Sequence, residues 1–212
     1  MQVVVPFAAE SPKTRLEPVL SPDERSTLAR AMLDDVLEAI LETGHEPTVV
    51  STAPLDAAAS VLAADSVSVE IDDRSLTAAV DARLPAPGDD PVAVVMADLA
   101  LATPTALKAL FTSVADVAIA PGRGGGTNAL VVSHPEFSVD YHGGSYLDHC
   151  AIAREVDATL ETVDSFRLAT DVDEPTDLVE ILIHGEGRAP ARLRSFGFEL
   201  DTDAGRVAVS RR

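Results

Sequence analysis

Short runs of β-branched and small apolar residues alternate along this chain with longer stretches whose apolar positions recur every third or fourth residue. The first pattern suits a strand covered on both faces and the second an amphipathic helix. Residues 2–7 (QVVVPF) open the series as a buried strand. A loop, Ala8-Ala9-Glu10-Ser11-Pro12, leads to Lys13-Thr14-Arg15-Leu16. Ser21-Pro22-Asp23-Glu24 then carries a capping-box signature, with serine at the cap, proline at the first helical position and glutamate three residues on. Leu28, Met32, Val36, Leu37 and Ile40 keep helical spacing until Gly44 ends the run. Strands are expected at 47–52 and 67–71, an alanine-rich helix between them at 54–64, and another helix at 75–84. The cluster Pro85-Ala86-Pro87-Gly88-Asp89-Asp90-Pro91 breaks both patterns and is a surface loop.

Residues 92–97 (VAVVMA) form the cleanest central strand, and Asp98 ends it. Thr103-Pro104 opens a helix with Leu107, Leu110 and Phe111 turned inward. Strands at 116–120 and 129–132 flank the glycine-rich loop Pro121-Gly122-Arg123-Gly124-Gly125-Gly126-Thr127-Asn128. Tyr141-His142-Gly143-Gly144-Ser145 leads into a helix ending near 156, and a strand lies within 160–168. The turn from Asp171 to Leu178 starts a helix running to about 184. Residues 196–209 read as a hairpin about Asp203-Ala204-Gly205. Strands alternating with helices predict right-handed crossovers and an α/β three-layer sandwich with a mostly parallel sheet. The length fits a single domain over 1–212, with a hairpin-like appendage at about 190–212 that covers a sheet edge or pairs with a second subunit in a homodimer.

Composition narrows this picture. Apolar residues make up 46% of the chain but aromatic residues only 4%, so the core is built of Ala, Val and Leu. Acids outnumber bases 35 to 16, for a net charge of −19. The apolar fraction is too high and too periodic for a disordered acidic chain. Two lysines against fourteen arginines suggest the solvated acidic surface of a halophile's protein. No basic run exists outside residues 188–194, which argues against nucleic-acid binding. Cys150 is alone, so neither a disulfide framework nor a zinc site is expected, and a structural thiol is the natural reading. No signal peptide precedes the first strand and no apolar run reaches membrane-spanning length, which points to a cytoplasmic protein with no membrane partner.

Ligands of open α/β sheets bind beyond the carboxyl ends of the strands. The first such loop carries Lys13, one of only two lysines, and Arg15 two residues on. A point charge beside a guanidinium fork suits an anionic ligand such as a phosphate better than it suits a solvated loop. Asp98 is either a turn residue or a ligand to a cation. Asp173 either caps the helix after it or joins Asp98 on magnesium, which takes one or two carboxylates plus phosphate oxygens and water. Asp171 is a possible substitute for it. The glycine loop with Thr127 and Asn128 is neither a Walker loop nor a dinucleotide fingerprint, so it is a turn or a site of another kind. His134, His142 and His149 lack the spacing of a helical metal pair and read as surface residues or as supports for other side chains.

These pieces also occur in a specific order. Pro6, Lys13-Thr14-Arg15-Leu16, the Leu-Ser-Pro-Asp-Glu-Arg run at 20–25, Ala97-Asp98-Leu99, Gly126-Thr127-Asn128-Ala129-Leu130, Gly144-Ser145 with His149, and the Asp171–Leu178 turn follow one another. Over residues 2–180 the chain resembles the 2-phospho-L-lactate guanylyltransferase family, nucleotidyltransferases with a glycosyltransferase-A-like (Rossmann-like) sheet that serve coenzyme F-420 biosynthesis. The resemblance implies transfer of GMP from GTP to 2-phospho-L-lactate. It implies a nucleotide site at Pro6, Phe7, Lys13 and Arg15, with Lys13, Arg15 and Asp98 catalytic and Mg2+ on Asp98 and Asp173. It implies an acceptor site at Thr127, Asn128, Gly143, Gly144 and Ser145. Two departures stand out: His142 where relatives often carry glycine, and Leu99-Ala100 where many carry Leu-Pro. Rival readings are a related nucleotidyltransferase acting on phosphoenolpyruvate, 3-phosphoglycerate or a molybdopterin, and a non-catalytic nucleotide-binding or scaffold protein on the same sheet.

Overall fold

Seven strands make the main sheet: β1 (Gln2–Phe7), β2 (Pro47–Ser51), β3 (Ser68–Ile71), β4 (Val92–Val95), β5 (Val117–Pro121), β6 (Thr127–Val132) and β7 (Leu160–Thr162). The structure is a computed structural model that describes residues 1–56, 60–202 and 205–212. The strand order is β3-β2-β1-β4-β6-β5-β7. Among these strands β6 alone runs against the rest, pairing antiparallel with both β4 and β5. The remaining ladders are parallel. The fold is therefore the mostly parallel α/β sheet that the alternation of elements predicts.

Side-chain alternation along the strands splits the core in two. Val3, Val5 and Phe7 face one layer with Leu28, Met32 and Val36 of α1 (Pro22–Leu41). That layer also holds α3 (Pro104–Phe111), α5 (Phe166–Ala169), α6 (Leu178–His184) and α7 (Arg188–Ser195). Val4, Val94, Ile119 and Leu130 face the other layer with α2 (Leu76–Asp81) and α4 (Ser145–Glu155). Leu28, Met32 and Val36 are fully buried. Truncating a leucine or methionine so placed to alanine costs on the order of 2–5 kcal/mol.

Helix α1 begins with the capping box read from its sequence: the Glu24 N–H donates to Ser21 Oγ, and the Ser21 N–H donates back to the Glu24 carboxylate. Two acids in its middle tie distant segments down. Asp34 accepts from Ser60 Oγ and from the Val61 N–H. Asp35 accepts the Arg188 and Ala189 N–H groups, at 2.7 and 2.8 Å, and so caps the start of α7. This contact needs glycine at 187, where a Cβ would stand 2.4 Å from Asp35 Oδ1.

Two sequence expectations change here. No helix spans 54–64. Residues 54–56 are irregular, Val61–Ala63 is a single 3-10 turn, and 57–59 lie outside the described residues. The Ser60 side chain accepts the Leu62 N–H and its hydroxyl donates to Asp34, which fixes a turn where alanine content alone favours a helix. The C-terminal stretch is also more than a hairpin. Residues 188–195 are helical, and only then do β8 (Phe198–Asp201) and β9 (Ala208–Arg211) pair antiparallel, with the expected turn residues Asp203 and Ala204 outside the described set. Arg211 reaches from β9 to Glu24 and to the Val19 carbonyl, fastening the hairpin to the start of α1. No helix among the described residues is long and apolar enough to cross a membrane.

Candidate active site

A cleft of about 540 Å³ opens where the carboxyl ends of β1, β2, β3 and β4 meet. Because β6 is reversed, its amino end lies at this same edge. The Met96 N–H, just past β4, donates to the Asn128 carbonyl at 2.9 Å. The loop after β1, Asp98 and Asp173 line this cleft, and the start of β6 lies beside it.

The loop after β1 takes two left-handed residues, Ser11 at φ 45° and Lys13 at φ 55°. This conformation is uncommon for residues with a Cβ and marks a constrained turn. The Leu16 N–H closes on the Lys13 carbonyl, and the fully buried Leu16 anchors the 3-10 turn Thr14–Leu16. The geometry turns Lys13 inward, leaving its side chain 12% exposed. Lys13 Nζ donates to Asp98 Oδ2 at 2.5 Å and to Asp173 Oδ1 at 2.8 Å. The more exposed Arg15 donates from Nη1 to Asp173 Oδ2 at 2.9 Å. Asp173 does not cap the following helix. Glu174 stands at the cap of the Pro175–Asp177 turn, and Asp177 closes its capping box, accepting the Glu174 N–H and also the Asp173 N–H.

Burial opposes the charge on Lys13, but Asp98 and Asp173 outweigh it and raise the ammonium above its ordinary range. The Asp173 carboxyl, likewise penalised by burial, is held below its usual range by Lys13 and Arg15. Asp171 goes the other way: burial raises it, and the nearby charges of Asp98 and Asp173 add to that despite a hydrogen bond from Asn128. Asp98 Oδ1 is buried with no partner among the described residues. A buried carboxylate oxygen left unpaired carries a desolvation cost that a cation would remove. The Asp98 and Asp173 oxygens both lie within reach of one nitrogen, so they are close enough to share a small ion. No three His, Cys, Asp or Glu side chains group together for a metal among the described residues. The donor set therefore suits an ion completed by phosphate oxygens and water rather than one caged by protein.

The other predicted group forms a separate, tightly bonded cluster beside the cleft. Asn128 Nδ2 donates to the Leu168 carbonyl at 2.9 Å and to Asp171 Oδ1 at 3.1 Å. The Thr127 N–H donates to Ser145 Oγ at 2.9 Å. Thr127 and Ser145 are both buried and do not line the cleft. Gly143, at φ 53°, and Gly144 are exposed at the amino end of α4. The glycine loop is a tight turn joining β5 to β6, closed by Gly122 N–H to the Gly126 carbonyl. His142 is a surface residue paired with Asp140. His149 is fully buried within this cluster, so it is not a surface residue.

A family profile described as guanylyl transferase CofC-like matches residues 1–212. The chain belongs to the guanylyl transferase CofC-like family. A 2-phospho-L-lactate guanylyltransferase of Haloterrigena turkmenica is 66% identical, over 100% of this chain and 97% of that one. A protein of the same name from Natrialba magadii is 60% identical, over 100% of this chain and 99% of that one. Among solved structures, a nucleotidyl transferase from a Methanothermobacter species superposes with a TM-score of 0.62 at 18% identity, covering 92% of this chain and 99% of the other. That likeness bears on the fold.

The cleft of this CofC-like chain also has residues that sequence reasoning missed. Beyond Pro6 and Phe7, it runs past Thr52 toward Asp72, Arg74 and Leu76. Asp72 follows β3 and is held well below the usual carboxylate range by Arg74 and Arg83. The signal was present in the sequence: an acid just past the end of a parallel strand, the same feature that drew attention to Asp98.

Proposed function

We propose that this chain transfers the guanylyl group of GTP to 2-phospho-L-lactate, giving lactyl-2-diphospho-5'-guanosine and pyrophosphate. The observation that carries the reading is the convergence of Lys13, Arg15, Asp98 and Asp173 at one cleft, through hydrogen bonds that join positions 85 to 160 residues apart in the chain. Membership in the CofC-like family and the shared name of its relatives support the choice of nucleotide and acceptor.

In this reading the nucleoside lies along the cleft over Pro6 and Phe7, with its triphosphate at Lys13 and Arg15. Asp98 and Asp173 would hold Mg2+, which would neutralise phosphate charge when bound. An oxygen of the acceptor's phosphate attacks the α-phosphorus in line. The bond from that phosphorus to the bridging oxygen breaks, and pyrophosphate leaves with the electron pair. The nucleophile is already anionic near neutral pH, so no side chain has to remove a proton. What the chain contributes is alignment and positive charge where negative charge gathers. Lys13 is suited to this because its ammonium can pass from the two carboxylates to the triphosphate. Thr127, Asn128 and Ser145, with the backbone at Gly143 and Gly144, hold the acceptor.

The test is pyrophosphate release with GTP and Mg2+ against a panel of 2-phospho-L-lactate, phosphoenolpyruvate, 3-phosphoglycerate and a molybdopterin. Fastest turnover with 2-phospho-L-lactate is expected. Preference for another member reassigns the acceptor, and no release with any of them removes the proposal.

A further inference from the structure

The buried histidine beside the cleft is unused in the reaction above, yet its hydrogen bonds are fully determined. The Asp140 N–H donates to His149 Nε2 at 2.9 Å. A backbone amide can only donate, so Nε2 carries a lone pair. Nδ1 lies 2.8 Å from Thr127 Oγ1. Burial pushes the imidazole down to about 4, so the ring is neutral and its one proton sits on Nδ1. Thr127 Oγ1 is then the acceptor of that bond, and its own proton must point elsewhere. Ser145 Oγ is constrained in the same way, since it accepts the Thr127 N–H.

Ser145 Oγ lies close to a glycine of the turn before β6, and the two glycines before α4 have open space beside them. A Cβ on Gly126 would stand 4.0 Å from Ser145 Oγ, and one on Gly143 or Gly144 would meet nothing within 4 Å. The ring itself is clamped edge-on to Tyr141 at 5.1 Å between centroids and packs near Phe137 at 6.0 Å.

We propose that His149 is a positioning residue. Its Nδ1–H fixes Thr127, and through Thr127 the Ser145 hydroxyl, so that both present O–H donors to an oxyanion of the acceptor. This rests on the reading that Thr127 and Ser145 hold the acceptor. It goes further by assigning the direction of their protons and the residue that sets it. The Asp140 contact also makes His149 the pin between the start of β6 and the segment leading to α4.

Long-range 1H–15N correlation on labelled wild-type protein at pH 7, with His149→Asn used to assign the signal, reads the tautomer directly. The expected result is a neutral ring protonated on Nδ1. A proton on Nε2, or a charged ring, overturns the proposal whatever the enzyme's substrate. Kinetics supply the second arm. His149→Leu removes the donor, and the KM for the acceptor should rise about tenfold or more while the KM for GTP stays within about twofold. His149→Asn places an amide N–H at the same distance along the side chain as Nδ1 and should recover most of that loss. Equal effects of Leu and Asn, or a parallel rise in both KM values, also overturn it. If the wild-type protein turns over no acceptor of the panel, the reading of the function fails instead, and the tautomer still decides the hydrogen-bond assignment.

Discussion

Replacing Lys13 with methionine keeps the aliphatic stem and deletes the charge that lies between Asp98 and Asp173. Two effects of different size follow. Lys13 and Asp98 are partly buried, with side chains 12% and 24% exposed. Breaking a fully buried pair costs about 3–5 kcal/mol and losing an exposed one at most about 1 kcal/mol, so a loss of stability of roughly 1–3 kcal/mol is expected. A fold that buries this much apolar surface survives that. Catalysis suffers more: removing one positioned donor from developing charge typically lowers turnover about 10²–10³-fold. The assay is pyrophosphate release with saturating GTP, Mg2+ and 2-phospho-L-lactate, run beside circular dichroism and a denaturant melt of the same sample. Turnover within twofold of wild type in a folded Lys13→Met protein refutes the role given to Lys13. Loss of activity accompanied by loss of secondary structure would place its role in folding instead.

Asp98→Asn should abolish Mg2+-dependent turnover, as measured by pyrophosphate release, because the amide supplies a weaker oxygen where the buried Oδ1 lacks a partner. His149 has a folded pKa of about 4, below the unfolded value, so its contribution to stability is present above about pH 6.5 and is lost as the pH falls toward 4. Denaturant melts should show about 2 kcal/mol of stability lost from this group between about pH 7.5 and pH 5, and that component should be missing in His149→Asn. Gly122→Ala would set a Cβ 2.5 Å from Asn128 Oδ1. It should displace the side chain that holds Asp171 and lower both the melting temperature and turnover.

Much of the fold was legible because its elements follow local rules. The Ser21 capping box, the 3.6-residue spacing of α1 and the apolar run of β4 are each written in a few adjacent residues. The misreadings arose where a distant side chain decides the outcome. Asp34, on α1, helps set the turn at Ser60 that replaces an alanine-rich helix. Asp35 caps α7 across about 150 residues, so an arginine-rich stretch with buried Ala189 and Leu193 becomes helix. The reversal of β6 was also not explicit, although the tight glycine turn before it gives the reason. At the site, the sequence offered two readings for Asp173, cap or ligand. Glu174 stands at the cap with Asp177 as its capping-box partner, which leaves Asp173 to meet Lys13. For His149 the sequence left two readings, surface residue or support for other side chains, and the partners that decide between them, Asp140 and Thr127, are brought to it only by the packing of α4 against β6.

The most direct measurement of the central claim is thermal and denaturant stability in high salt with GTP and Mg2+ together, compared with ATP and Mg2+ and with GTP and EDTA. Binding at about a hundred times the dissociation constant should add roughly 2.7 kcal/mol with GTP and Mg2+, and clearly less when either guanine or the metal is withheld. An unchanged melt with GTP and Mg2+ would contradict a magnesium-bound triphosphate held between Lys13, Asp98 and Asp173.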